Sequence, residues 1–249
     1  MTHTIAPTET GRATAFVRKL ESDARRSLEA NISDHRLTVI LDQNGYRHLR
    51  MAKPGSSAYA WDVVTWPGHL SITGDIADGY TFARTHDMLD FFRPRPEPYR
   101  IDQHYWGQKV AHAQRDSITR FEPELFIAAV QDEIADLDPV DFAWCRQKLQ
   151  DEVPYALRRA SLYDHITEHD AYRFVEEWTF ADDDGNTHRL DPEAELVASG
   201  RVHTFDFLMS LHAIVTTVEA YWNHRLAEAD RDQATIEAIV DDIKRNKYR

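Results

Sequence analysis

Asn44-Gly45 sits between two β-rich runs, RLTVILD (36–42) and YRHLRMA (46–52). Both central residues of a type I′ turn need φ > 0, which Asn and Gly tolerate best, and that turn's twist matches the twist of paired strands. The pair therefore predicts a tight hairpin. A two-residue turn also dictates the register, placing Asp42 opposite Arg47 as a favourable cross-strand charge pair. The pattern then repeats. KPGSS (53–57) reads as a loop and AYAWDVVTW as a third strand. Tyr59, Trp61 and Val63 fall on one face of that strand, and Ala60, Asp62, Val64 and Trp66 on the other. Pro67-Gly68 turns the chain into HLSIT, with Leu70 and Ile72 inward; Asp78-Gly79 turns it again into YTFAR. The expectation is an antiparallel meander of about five strands.

Before the meander, Ala13, Phe16, Val17, Leu20, Ala24 and Leu28 recur at helical spacing from Arg12 onward, ahead of Ser33-Asp34. Residues 1–11 read as a flexible arm. After Thr85 the pattern turns helical through DMLDFF and meets Pro94, Pro96 and Pro98. Prolines that close together cannot continue a helix, so 94–99 is the expected internal connection. Beyond it the chain reads as helices: 102 to about 114; one starting at Glu122-Pro123 with Leu125, Phe126, Ala129, Val130 and Ile134 as its stripe; one starting at Asp138-Pro139 and broken by Pro154; one running to about His169; then 203–228 and 235–247. Residues 171–190 fit either a short hairpin over Asp184-Gly185-Asn186 or a helix end and loop. The expected class is α+β: a helix and antiparallel sheet over 12–93, then a mostly helical 100–249 packed on the first part as one unit.

One cysteine, Cys145, excludes an internal disulfide and a cysteine-built metal site. No run of about 18 apolar residues exists, and MTHTIAPTETGR lacks the charged and apolar regions of a signal peptide, so a cytoplasmic location is expected. Charge is lopsided. Residues 1–120 carry 16 Lys/Arg against 14 Asp/Glu, whereas 121–249 carry 13 against 28. An acidic second half opposes broad binding to nucleic acid or anionic membranes and is compatible with docking on a basic protein surface; it also simply keeps a protein soluble.

The chemistry-bearing patterns are few. His165-Ile-Thr-Glu168-His169 matches H-x-x-E-H, in which two histidines one helical turn apart could share a zinc; the competing reading is a solvated helix end, and no metal or cofactor is expected. Asp182–Asn186 departs from the calcium-loop order and reads as an exposed turn. Arg47, His48, Lys53, Ser56 and Ser57, with the KPGSS loop amides, could contact a phosphate or carboxylate, or could form a solvated hairpin edge. Arg50, Asp62, Trp66, His69, Asp75 and Arg84 gather polar and aromatic groups around a Pro-Gly turn and a Gly-Asp pair. These six are the candidate binding surface; the competing reading is a hairpin whose residues serve the fold. No nucleophile elbow, dinucleotide fingerprint or P-loop spacing occurs.

The block HLRMAKPGSSAYAWDVVTWPGHLSITGDIADGYTFARTHDMLDFFR, followed by IDQHYWGQKV, resembles a family of uncharacterised proteins encoded by tailed bacteriophages and prophages. That family carries a (F/W)DIVTWPGHL core, then Gly-Asp, Arg and DM..FF positions. Here these fall at Asp62, Val64–Leu70, Gly74, Asp75, Arg84, Asp87, Met88, Phe91 and Phe92, with Tyr105, Trp106 and Lys109 beyond. The resemblance covers about 36–116 and implies a phage accessory gene, without implying a mechanism. Three function classes follow. One is an accessory protein that binds and modulates a host protein with a basic surface, in its sharpest form inhibiting an anti-phage defence system. The others are a nucleotide or nucleic-acid binder, such as a signalling-nucleotide sponge, and an enzyme acting on nucleotides or nucleic acid.

Overall fold

The computed structural model describes residues 9–94, 101–137, 146–160, 165–181, 184–189 and 194–246. It divides into two compact units: Asp23–Ile118 with Phe205–Arg249, and Met1–Ser22 with Thr119–Thr204.

The first unit holds a five-stranded antiparallel sheet in the order β1-β2-β3-β4-β5. Its strands are β1 (Arg36–Gln43), β2 (Tyr46–Ala52), β3 (Trp61–Trp66), β4 (His69–Gly74) and β5 (Ala77–Ala83), preceded by helix α1 (Glu9–Asn31). The hairpin predicted from Asn44-Gly45 forms: Asn44 has φ 53°, Gly45 φ 84°, and Asp42 pairs with Arg47. Leu49, Met51, Trp61, Val63, Leu70, Ile72, Tyr80 and Phe82 are buried on one face. The long helix α8 (Phe205–Asn246) covers that face with Phe207, Leu211, Ile214, Val215 and Val218. The Phe207 ring meets Tyr80 edge-on at 5.4 Å, and the buried Trp61 indole donates to Thr217 Oγ1 at 2.8 Å. After β5 the chain of this unit continues through α2 (Met88–Phe91), α3 (Gln103–Gly107) and a 3₁₀ turn over His112–Ser117. Lys109 and Ala111 pair by backbone with Ala83 and Thr81, so this segment covers the outer edge of β5.

The second unit is helical: β6 (Thr119–Phe121), α4 (Pro123–Asp136), α5 (Arg146–Ala160), α6 (Glu168–Glu177), the hairpin β7 (Thr179–Ala181) and β8 (Thr187–Arg189), α7 (Ala194–Ala198), and β9 (Arg201–His203), which pairs with β6. Its core joins Phe126, Val130 and Ile134 of α4 to Leu149, Val153 and Leu157 of α5 and to Phe174 and Val175 of α6. Helix α4 starts at Glu122-Pro123 as the sequence predicts, with Glu122 in the position before the helix and Pro123 opening it. Both alternatives for 171–190 are realised in part, since α6 ends at Glu177 and a hairpin follows.

Several expectations are corrected. Helix α1 begins at Glu9, inside the stretch read as an arm; residues 1–8 and the Asp138-Pro139 start lie outside the described residues. The β4–β5 turn falls at Asp75-Ile76, and Asp78-Gly79 lies within β5, where the register shifts and Gly79 takes φ 89°. A bulge used the glycine that a turn would have used. The helix expected over 102–114 stops at Gly107, because residues 109–111 pair with the sheet. Pro154 does not break its helix. The carbonyl it deprives of a partner, on Gln150, accepts from Gln131 Nε2 at 2.9 Å, and Gln150 Nε2 donates to the Gln131 carbonyl at 3.1 Å. The two expected C-terminal helices are one, α8.

Candidate functional site

Strand pleating sends Arg50, His48, Asp62, Val64, Trp66, His69 and Ser71 to the face opposite α8, all partly exposed. Cross-strand register aligns them: Arg50 lies opposite Asp62, His48 opposite Val64 and Val64 opposite Ser71, and Trp66 opposite His69. Asp62 is the hub of this face. Its carboxylate accepts from His48 Nε2 at 2.8 Å and from Arg50 Nη1 at 2.6 Å. One carboxylate thus holds a guanidinium and an imidazole side by side, with all three partly exposed. At the Pro67-Gly68 end the Trp66 and His69 rings stack at 5.1 Å with 8° between their planes, and His69 Nδ1 lies 3.2 Å from the Pro67 carbonyl. Gly68, at φ 83°, is fastened on both sides: its N–H donates to His86 O, and the Arg84 N–H donates to its carbonyl. The exposed Arg84 side chain therefore springs from the backbone bonded to that turn.

Asp75 is apart from this group. It follows the opposite end of β4, separated from His69 by roughly 20 Å of extended strand. Its Oδ2 accepts the Tyr59 N–H at 2.8 Å and its own N–H donates to Ala60 O at 2.8 Å, so it holds the chain entering β3, where Tyr59 takes φ 55°. Gly74 beside it is obligatory: a Cβ there would stand 2.3 Å from Ala60 O.

The residues expected to contact a phosphate are spread over different jobs. Arg47 points to the α8 side, where it grips Asp87 with two bonds of 3.1 and 2.8 Å, lies 3.3 Å from Asp42, and donates to Tyr221 Oη at 3.3 Å. Burial works against the Arg47 charge, but the bonds to Asp87 and Tyr221 outweigh it and raise its pKa. Tyr221 donates to Asp42 Oδ2 at 2.7 Å. Its own pKa is raised, first by burial and then by that bond, against an opposing effect of Arg47. Lys53 pairs with Asp34 at 2.9 Å on the surface and thereby lowers the Asp34 pKa. The KPGSS loop closes on itself: Ser56 N–H donates to Lys53 O, Ser56 Oγ accepts from Ala58 N–H, and the Ser57 carbonyl accepts from Ala60 N–H.

His165 precedes α6 and His169 lies within it, with Thr167 as the helix cap between them, so the two do not share a helical face. Glu168 instead pairs with Arg201 at 2.6 Å. Among the described residues no group of three or more His, Cys, Asp or Glu could hold a metal ion. No described helix is long and apolar enough to cross a membrane. The residues missed at the sequence level are Tyr221, Thr217 and Gln114. Gln114 bridges β5 by accepting from Thr81 N–H and donating to Gly79 O. Their partners are far away in sequence, and no local pattern marks them.

The outward face offers mixed-sign charge beside a stacked aromatic pair, chemistry suited to recognition. No family model, curated protein or solved structure matches the chain.

Proposed function

We propose that the protein is a phage-encoded accessory protein that acts in the host cytoplasm by docking its helical unit on a basic surface of a host protein, with interference in an anti-phage defence system as the sharpest form of that role. One observation carries this reading. Residues 119–204 hold 8 Lys/Arg against 20 Asp/Glu, a net −12 of the chain's −13. Glu124, Glu133, Asp136, Asp151, Glu152, Glu176 and Glu177 in that unit are exposed. A compact body with a large net charge steers an oppositely charged partner and speeds encounter. The resemblance of 36–116 to phage-encoded proteins supplies the biological setting. A nucleotide ligand is less favoured, because Arg47, His48, Arg50 and Lys53 already face carboxylates of this chain.

The test is association kinetics with a host protein captured by the full chain. The on-rate should fall steeply between low salt and about 0.5 M, where screening reaches within a few ångströms. An on-rate flat across that range, or a captured protein whose contact surface is acidic, would overturn the electrostatic reading.

A further inference from the structure

Past Trp222 the described side chains of α8 are exposed or half-buried, yet the helix continues to Asn246. Leu226, Ala229, Gln233 and Ile236 follow one another at spacings of four and three, and all four are exposed, Leu226 at 63% and Ile236 at 55%. The sequence extends the same spacing backward to Trp222 and forward to Val240 and Ile243. From Leu226 on, that is a heptad seam, with Leu226, Gln233 and Val240 at the first core position (a) and Ala229, Ile236 and Ile243 at the second (d), spanning roughly 25 Å; Trp222, one step back, is already covered by Arg93, whose guanidinium lies 4.4 Å over its ring. A helix exposed on every side would have no use for it.

We propose that this seam is a self-association site, on which the same segment of a second copy of the chain lies parallel and in register as a two-stranded coiled coil. Two features choose that occupant. Gln233 is the one polar residue in the seam. In a parallel pair it meets Gln233 of the second copy, and two carboxamides can satisfy each other; an antiparallel pair would set it against Ile236. In the flanking positions a parallel pair sets Arg225 against Asp230 of the second copy, twice by symmetry. An antiparallel pair sets Asp230 against Glu237 and offers no opposite-charge pair. At present Arg225 reaches Glu228 at 3.1 Å and Gln233 reaches Glu237 at 2.8 Å on the same helix, exposed contacts that a partner helix can exchange cheaply. Asp232 against Glu237 opposes the parallel pair and, with fewer than three heptads, keeps it weak and concentration-dependent.

The experiment is sedimentation equilibrium of the full chain over a wide concentration range, with Leu226→Asp, Ile236→Asp and the outer-face control Ala234→Lys. Both seam positions are exposed, so circular dichroism at low concentration should be unchanged in all variants. Wild type and Ala234→Lys should dimerise, and each seam variant should weaken the dimer by about tenfold or more. Gln233→Cys in a Cys145→Ser background should form an interchain disulfide under mild oxidation, because only a parallel, in-register pair brings that position to its own copy. A chain monomeric at every concentration, a dimer indifferent to both Asp variants, or a dimer that fails to cross-link at residue 233 would each overturn the proposal. So would seam variants that lose a host protein while the wild type stays monomeric, since the seam's occupant would then be that protein.

Discussion

Gln131 is the clearest case of one side chain repairing what another breaks. A proline inside a helix costs about 3 kcal/mol or more, partly because the carbonyl four residues earlier loses its donor. Gln131 supplies that donor from α4, and Gln150 returns a bond to the Gln131 carbonyl. Gln131→Ala should therefore destabilise the protein by about 1–3 kcal/mol in urea unfolding. In a Pro154→Ala background, where residue 154 regains its N–H, the same change should cost clearly less. Equal costs in the two backgrounds would show that Gln131 does not serve the Pro154 gap. Tyr221 is the residue-scale hinge of the other unit. Its folded pKa is raised above the usual 10.0, so the folded state holds the proton more tightly than the unfolded chain. Stability from this group is fully present below about pH 10 and is lost as pH rises through the folded value. The melting temperature should therefore drop above pH 10 in the wild type and drop less in Tyr221→Phe. An alkaline decline of the same slope in both would assign it to other groups.

At the level of elements, the sheet is built locally and finished remotely. Each hairpin connects neighbours in sequence, and at two of them the turn residues are visible: Asn44-Gly45 and Pro67-Gly68 both behave as their backbone preferences require, whereas those of the β4–β5 turn, Asp75-Ile76, are not visible. What completes the sheet is α8, which arrives from more than a hundred residues away and buries a full face. The join includes a buried polar bond, Trp61 to Thr217, and Thr217 in turn donates to Ala213 O at 2.8 Å. Thr217→Val keeps the shape but strands the indole N–H in a dry interior. The expected cost is about 1–3 kcal/mol, read from the shift in the denaturation midpoint. A neutral Thr217→Val would mean that water reaches this face. Among the candidate site residues, Asp75 belongs to the same structural class, because it anchors Tyr59 N–H. Asp75→Ala should lower the melting temperature, whereas His69→Ala and Arg84→Ala, which hold no comparable position, should stay within about 0.5–1 kcal/mol of wild type. The opposite ordering would remove His69 and Arg84 from the candidate binding surface.

For the whole molecule, the decisive quantity is where the charge sits. The excess lies in 119–204, while 23–118 is neutral with 12 Lys/Arg and 12 Asp/Glu. Neutralising exposed carboxylates there, as in Glu133→Gln, Asp136→Asn, Glu176→Gln and Glu177→Gln combined, should leave the fold intact or slightly stabilise it by relieving self-repulsion. The same variant should associate more slowly with a basic partner at low salt and show a flatter salt dependence. A variant that binds with unchanged kinetics would relocate the interaction away from the helical unit.

The sequence by itself determined the α+β class, the register beside the turn of the first hairpin, the helix start at Glu122-Pro123 and the alternation that sets Asp62 and Trp66 on one face of β3. All of these follow from rules that act within a few residues: φ limits at Asn and Gly, the pleat's alternation, and proline's fixed φ. Only the tertiary structure decided that Arg47 turns inward to Asp87 and Tyr221, that Pro154 survives inside a helix, that Asp78-Gly79 makes a bulge, and that 205–246 is one helix whose first part, to about Tyr221, lies on the sheet. At Arg47 the local preference was permissive and at Pro154 it was adverse, and in both the outcome was set by a partner distant in the chain. A half-buried cation seeks carboxylates wherever the fold brings them, and an orphaned carbonyl is satisfied by whichever donor the packing sets within reach.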